Sequence, residues 1–163
     1  MNRYMPGVYV IPEDDRDRQL AAGFILHDGV DGRRIKVMPP AGGWRNVLQT
    51  FLEEYVQILR KCPDAHVVLL IDFDDQVASR RNEIDRQIPK DIKSRVYVVG
   101  PKHTPEKLKA ALSENHEKIG TQLADECDTG NTNLWNHEQL VHNNLECDRL
   151  ADAVKPFLFQ SGL

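Results

Sequence analysis

The segment 66–71 (HVVLLI) limits the folds open to this chain more than any other feature. It shows no alternation of polar and apolar residues, and Asp72 follows it at once. A short, unbroken apolar run rich in β-branched residues is typical of a strand that is buried on both faces. Such strands occur mainly in parallel sheets that helices cover on both sides. The segment therefore predicts an α/β fold with a central parallel strand.

The rest of the chain alternates between strand-like and helix-like segments. Further strands are predicted at 7–11 (GVYVI), 34–38 (RIKVM) and 95–99 (RVYVV). Apolar spacing and capping residues predict helices at 16–27, 45–61, 77–87, 105–112, 116–127 and 137–154. We therefore expect a single three-layer α/β domain with a four-stranded, mainly parallel sheet in residues 1–104 and a helical extension in residues 105–163.

Composition and charge narrow the function classes. The 163 residues are 40% hydrophobic and 28% charged, which is typical of a folded domain and not of disorder. The net charge of −4 argues against a strong nucleic-acid binder, although residues 1–105 alone carry 16 basic and 15 acidic residues. No apolar run approaches the ~20 residues of a membrane span. With no leader at Met1–Tyr4 and only three scattered cysteines, we expect a cytoplasmic protein without a membrane partner.

Carboxylates follow the first and the third of the predicted strands. Glu13 comes after strand 7–11, whereas Asp72 and Asp74 come directly after strand 66–71. In open parallel sheets, function collects at the carboxyl ends of the strands. Two residues that are two positions apart on an extended segment point the same way, so Asp72 and Asp74 can share one ion. Because hard divalent cations prefer oxygen ligands, the sequence predicts a Mg²⁺ or Mn²⁺ site at this edge.

The other acids at these strand ends have a structural explanation. Asp14, Asp15 and Asp75 are of a type that commonly caps helices and forms turns. Caps and turns are therefore the favoured roles for these three, with metal binding as the alternative. The same explanation stays open for Glu13, Asp72 and Asp74, but the apolar strands beside those three favour a metal site.

The pattern of a Glu after the first strand and Asp-x-Asp after a later one resembles the TOPRIM domain. That domain occurs in topoisomerases, bacterial primases and overcoming-lysogenization-defect nucleases. The matching residues are Glu13 in VIPEDDRD and Asp72 and Asp74 in LLIDFDD, within residues 7–100. The chain departs from the family at Asp14, where a Gly often stands, and in its loop after Asp74. The segment TNLWNHEQLVHNN is also similar to one in small bacterial proteins of unknown function.

The resemblance implies an activity and roles for these residues. In TOPRIM enzymes the Asp-x-Asp pair binds Mg²⁺, and the Glu binds metal or acts as a general acid or base. Carried over, Asp72 and Asp74 would be metal ligands, and Glu13 a ligand or base in catalysis. The substrate would be a phosphodiester, so the resemblance implies a metal-dependent nuclease or phosphoryl-transfer enzyme with a nucleic-acid partner.

Several residues near the same edge are candidates for phosphate binding. They lie in the loop after the second strand, on the helix after the Asp-x-Asp pair and after the fourth strand. These candidates are Gly42, Gly43, Arg45, Arg80, Arg81 and His103. Glycine lets backbone N–H groups approach an anion, and arginine neutralises a phosphate. Each also has a structural reading, as a turn, a solvated helix face or a solvated loop histidine.

Other classes of protein stay open. A TOPRIM-like fold can serve as a non-catalytic interaction module, with a protein partner or a second copy of the chain supplying a surface. A receiver domain also has acids after its first strand and a phosphorylatable Asp after its third, which Asp72 would imitate. Its Lys follows a fifth strand, however, whereas Lys102 follows the fourth. Haloacid-dehalogenase phosphatases place Asp-x-Asp on the first strand, which does not fit Asp72.

Overall fold

The architecture is an alternation of strands and helices. The computed structural model describes residues 4–160; Met1–Arg3, where the absence of a leader was expected, lie outside the described residues. The strands are β1 (Gly7–Pro12), β2 (Ile35–Val37), β3 (Ala65–Leu70) and β4 (Val96–Val99). The α-helices are α1 (Asp15–Ile25), α2 (Trp44–Thr50), α3 (Val56–Lys61), α4 (Val77–Gln87), α5 (Pro105–Leu112), α6 (His116–Thr129), α7 (Asn144–Ala153) and α8 (Lys155–Leu158). None of the helices in residues 4–160 is both long and apolar enough to cross a membrane.

The four strands form one parallel sheet in the order β2-β1-β3-β4. Strand β1 pairs with β3 in a register that sets Val10 opposite Val68 and Pro12 opposite Leu70. This confirms the predicted α/β fold with a four-stranded sheet and a helical C-terminal region. Because β1 and β3 are neighbours and parallel, the acidic residues that follow them meet at one edge of the sheet.

Helices cover both faces of the sheet. Val67 and Leu69 of β3 are fully buried in a cluster with α2, α3 and α4. Val68, between them in sequence, packs on the opposite face in a cluster with α1, α6 and α8. A strand with both faces buried cannot alternate polar and apolar residues, which explains the unbroken apolar run from which the fold was predicted.

Helices α1 and α6 cross at two glycines. A Cβ atom at Gly23 would overlap the backbone of Glu117, and one at Gly120 would overlap the carbonyl oxygen of Leu20. The Thr121 hydroxyl also donates to the carbonyl of Gly23 at 2.8 Å. This close contact fixes α1, which begins beside the end of β1.

Two predicted helices differ from the structure. The helix expected at 45–61 is interrupted by a π-helical turn at Phe51–Tyr55, between α2 and α3. The helix expected at 137–154 was predicted to begin too early, because α7 begins only at Asn144 after a 3₁₀ turn at Val141–Asn143. The Asn143 side chain donates to the carbonyl of Leu140 at 3.0 Å, and such local bonds compete with a continuous helix.

Candidate metal centre

Three aspartates meet at the carboxyl edge of β1 and β3. Asp14 lies in the turn after β1, Asp17 in the first turn of α1, and Asp72 directly beyond β3. Each offers a carboxylate oxygen, and these oxygens all lie within 4.8 Å of one another. We call these three residues the acidic triad.

Asp14 holds the start of α1. Its Oδ1 accepts hydrogen bonds from the backbone N–H groups of Arg16 and Asp17, both at 3.0 Å. This confirms the helix-capping role expected for Asp14. The cap uses one carboxylate oxygen, so the same side chain can cap the helix and offer its second oxygen to an ion.

Asp17 is the most unusual member of the triad. Its exposed fraction is 0%, and within the described part of the chain no N–H or hydroxyl group donates to either carboxylate oxygen. The groups within hydrogen-bonding reach are the carboxyls of Asp14 and Asp72, with which Asp17 can bond only if a proton is shared. A buried carboxylate without a partner is strongly disfavoured unless it is protonated or faces a cation. The Asp17 side chain is aimed into the triad, so a cation there would supply the missing partner.

Asp72 joins the triad to its surroundings. Its side chain is buried, and its Oδ1 has no hydrogen-bond partner among the described residues. Its backbone N–H donates to Oε1 of Glu13 at 3.1 Å, and its carbonyl accepts from Nη1 of Arg80 at 2.7 Å. The backbone of Asp72 is therefore fixed from both sides while its carboxylate stays available.

Burial and crowding perturb the acids of this edge. Burial raises the pKa of Asp17 far above its ordinary value, and the charge of Asp72 raises it further. Burial also raises the pKa of Asp72 to about 7, with a contribution from the charge of Glu13. The pKa of Glu13 is raised as well, first by burial. Carboxylates this close cannot all ionise without a counter-charge, so the triad holds protons unless a cation replaces them.

The chemistry of the donor set fits a metal ion. The triad offers only carboxylate oxygens, with no sulfur or nitrogen, and its members come from two separate turns. Oxygen-only sites suit hard divalent cations better than zinc or copper. The acidic triad can therefore hold a metal ion, and the ionised carboxylates would become stable in its presence.

The structure places the predicted ligands Glu13 and Asp74 beside the triad. Glu13 directs Oε1 to the N–H of Asp72, as described above. The carboxylate of Asp74 accepts from Nη1 of Arg80 at 2.8 Å and is about half exposed. Of the three predicted ligands, only Asp72 belongs to the triad. The metal-binding and catalytic roles of Glu13 and Asp74 stay predictions.

The sequence interpretation missed two of the three clustered acids as ligands. For Asp14 a helix cap or turn was the favoured role, and Asp17 was not singled out. A signal was present, because Asp14 and Asp17 are three apart at the start of a helix and so lie on one helix face. Side chains in a first turn also lean toward the helix N-terminus, which here means toward the end of β1.

Four of the candidates for phosphate binding border the carboxyl edge of β1 and β3: Gly42, Gly43, Arg45 and Arg80. The N–H groups of Gly42 and Gly43 donate to the carbonyl of Glu13 at 2.8 and 3.3 Å, so they hold the turn after β1. Arg45 pairs with Glu83 at 3.0 Å. Its guanidinium carbon lies 4.4 Å from the centre of the Trp44 ring, and that of Arg80 lies 4.9 Å from the same centre.

The remaining two candidates for phosphate binding lie further along the chain. Arg81 donates to the carbonyl of Val98 at 2.7 Å and stacks 5.0 Å from the centre of the Phe73 ring, so its side chain is directed to β4. His103, in the loop after β4, lies 3.5 Å from a carboxylate oxygen of Asp75. Contact of any of these residues with a substrate stays a prediction.

The fold and the triad together define an α/β protein with an acidic edge where three clustered carboxylates could hold a cation. Comparison of the chain with protein-family models, with curated proteins and with solved structures finds no match. The case for a function therefore depends on the geometry of this edge and on the residues that the sequence places there.

Proposed function

We propose that this chain is a Mg²⁺- or Mn²⁺-dependent phosphodiester-cleaving or phosphoryl-transfer enzyme whose metal is held by the acidic triad. The observation that carries the proposal is Asp17, a fully buried carboxylate that faces two further carboxylates and to which no N–H or hydroxyl group in residues 4–160 donates. The resemblance of Glu13, Asp72 and Asp74 to the TOPRIM motif supports phosphoryl chemistry over other metal-dependent reactions.

The chain supplies the groups that such a reaction needs. A bound divalent cation polarises a phosphoryl oxygen and lowers the pKa of a coordinated water. Glu13 is held beside the triad by its bond to the Asp72 N–H, and its raised pKa suits a residue that takes up and returns a proton. Arg80 fixes the Asp72 carbonyl and the Asp74 carboxylate, which keeps a positive charge next to the triad.

The charge of this edge limits the affinity of the chain for a polyanionic substrate. Arg80, Arg45 and Arg16 are each paired with an acid of the chain, Arg16 with Glu106 at 2.6 Å. Little positive charge is left to attract a polyanion, so affinity for a nucleic acid should be weak and should fall with added salt. We expect a protein partner or a second copy of the chain to supply the missing positive surface.

A cleavage assay tests the proposal. Purified protein is incubated with single- and double-stranded DNA and RNA, with Mg²⁺, Mn²⁺ or a chelator. Cleavage should require metal, should be lost in Asp17→Asn and Asp72→Asn, and should persist in the matched control Asp152→Asn, whose side chain is exposed on α7. Glu13→Gln should lower the rate while leaving metal binding in place.

Two other outcomes would contradict the proposed enzymatic function. Cleavage that survives both Asp17→Asn and Asp72→Asn would come from a contaminant. Metal binding at the triad without cleavage of any of the four substrates would favour the non-catalytic interaction module. The pairing of the nearby arginines with acids of the chain is the observation that supports that alternative.

A further inference from the structure

The loop after β4, residues 100–103, is held by a segment of the chain far away in sequence. The carbonyl of Gln139 accepts from the N–H of Lys102 at 2.8 Å. The side chain of Gln139 accepts through Oε1 from the N–H of His103 at 3.1 Å. Gln139 is nearly fully buried, with an exposed fraction of 4%. One residue therefore satisfies two consecutive N–H groups of this loop.

Two further side chains hold the start of the same loop. Asn143 accepts from the N–H of Gly100 at 3.2 Å and donates to its carbonyl at 3.0 Å. His142 donates through Nε2 to the same carbonyl at 2.7 Å, and its ring packs edge-on against Phe73, 5.2 Å between centres. The hydrogen bond of His142 thus ties the segment at 137–143 to the end of β4.

The other side of the loop holds residues 73–75, which directly follow the proposed metal ligand Asp72. Phe73, Asp74 and Asp75 donate their N–H groups to the carbonyls of Pro101, His103 and Lys102, at 3.2, 3.2 and 2.8 Å respectively. Asp74 and Asp75 both have positive φ angles, +49° and +62°. Residues other than glycine hold this backbone conformation only where their surroundings impose it, so the turn depends on the loop beside it.

We propose that Gln139 and His142 are positioning residues for the metal centre. They fix the loop at 100–103, and the loop fixes residues 73–75, which directly follow Asp72. Together with the bonds of the Asp72 backbone to Glu13 and Arg80, this keeps the Asp72 carboxylate next to Asp14 and Asp17. This inference rests on the metal centre proposed above. It assigns a role to the segment TNLWNHEQLVHNN, which contacts none of the triad in the described hydrogen bonds.

Conservative substitutions of Gln139 test the proposal. Gln139→Met keeps the volume and removes the acceptor for the His103 N–H, whereas Gln139→Glu keeps an acceptor. Mn²⁺ affinity is measured by titration calorimetry, with Glu138→Ala as the matched control because Glu138 is the exposed neighbour. Residues that orient metal ligands typically contribute about 10–100-fold to metal affinity. We expect Gln139→Met to weaken Mn²⁺ binding by about 10-fold, with Gln139→Glu and the control close to the original chain.

Hydrogen exchange on the metal-free protein gives a second readout. In Gln139→Met the amides of residues 73–75 should exchange faster, while those of β1 and β3 keep their protection. If circular dichroism shows that Gln139→Met does not fold, His142→Phe takes its place, because it keeps the ring against Phe73 and removes only the bond to Gly100. The same 10-fold loss is expected.

The outcomes separate this inference from the metal centre itself. If the original chain binds no Mn²⁺, the metal centre and the positioning role both fail. If the original chain binds Mn²⁺ and the folded Gln139→Met and His142→Phe variants bind it equally well, only the positioning role is overturned. Weaker binding in Gln139→Glu equal to that in Gln139→Met would also overturn it, because the acceptor would not matter.

Discussion

At the scale of single residues, the acidic triad lowers the stability of the metal-free fold as the pH rises. The ordinary pKa of an Asp is 3.8, whereas the pKa of Asp72 in the fold is about 7 and that of Asp17 is higher still. The folded chain therefore holds more protons than the unfolded chain from about pH 4 upward. By linkage, the free energy of unfolding of the metal-free protein falls as the pH rises above about 4. The fall continues above pH 7, because Asp17 in the folded chain still holds a proton that the unfolded chain has lost.

Asp17→Asn should stabilise the metal-free protein at pH 8. The amide has nearly the same shape and is neutral in both states, so folding no longer requires the side chain to take up a proton at pH 8, and we expect a gain of about 2 kcal/mol in the free energy of unfolding. The gain should be smaller at pH 5, where the original side chain is held protonated at less cost. Urea denaturation at the two pH values measures it, with Asp152→Asn as control. Equal or lower stability of Asp17→Asn at pH 8 would contradict the prediction.

Single residues also show where sequence reasoning reached its limit. That acids lie at the carboxyl edge of the sheet could be predicted from the sequence, because all strands of a parallel sheet end at the same edge. The sequence could not predict which carboxylate oxygens face each other. Asp17 enters the triad because α1 is fixed by its crossing with α6, and Asp74 pairs with Arg80 because the turn at Asp74 and Asp75 is left-handed.

At the scale of elements, side chains of α4 and α7 form hydrogen bonds with the backbone of the edge strand β4, on the side where no strand of residues 4–160 pairs with it. Glu146 of α7 accepts from the N–H of Val98 at 2.7 Å, and Arg81 of α4 donates to the carbonyl of the same residue at 2.7 Å. Arg149 donates to the carbonyl of Val96 at 3.1 Å. An edge strand with unpaired backbone groups is prone to aggregate, so these bonds protect it.

Glu146→Ala should destabilise the fold. The substitution leaves the buried N–H of Val98 without its acceptor and removes the acid nearest to Arg81, at 4.0 Å. When a buried donor loses its charged acceptor, the free energy of unfolding falls by about 2–3 kcal/mol. The midpoint of urea denaturation measures the loss. The exposed Glu138→Ala should stay within about 0.5 kcal/mol of the original chain, and equal midpoints for the two variants would refute the role of Glu146.

The crossing of α1 and α6 gives a second prediction at this scale. Gly120→Ala places a methyl group on the carbonyl of Leu20, so the helices must separate, and we expect a loss of about 2–4 kcal/mol. Gly32→Ala is the matched control, because a Cβ there has no neighbour within 4 Å. Thermal denaturation of the two variants measures the difference. A Gly120→Ala variant as stable as Gly32→Ala would show that the helices adjust freely.

Helices and strands could be predicted from the sequence where hydrophobic periodicity alone determines them. The strands and most helices begin and end near the expected residues because apolar spacing and turn residues mark them locally. The conformation of the segment at 137–143 could not be predicted, because its backbone is held by hydrogen bonds from Gln139, His142 and Asn143 to a loop about 40 positions away. No local pattern encodes such bonds.

At the scale of the whole molecule, the triad joins two strand-helix units. Asp14 and Asp17 belong to the β1–α1 unit and Asp72 follows β3, so a bound ion would link the two central strands through their ends. The adjacency of β1 and β3 is a property of the strand order. The chain predicts that both strands exist, but their side-by-side placement depends on how the helices pack on the two faces.

Divalent metal should therefore raise the thermal stability of the whole chain. An ion that binds only the folded state at about 100 times its dissociation constant adds about 2.7 kcal/mol. In a protein of this size that shifts the midpoint by about 5–10 °C. The shift should be larger at pH 8 than at pH 6, because the ion competes with the protons that Asp17 and Asp72 retain. Thermal scans with Mg²⁺, Mn²⁺ or a chelator measure it. Asp72→Asn should show no shift and Asp152→Asn the full shift, whereas an equal shift in both variants would place the ion elsewhere on the molecule.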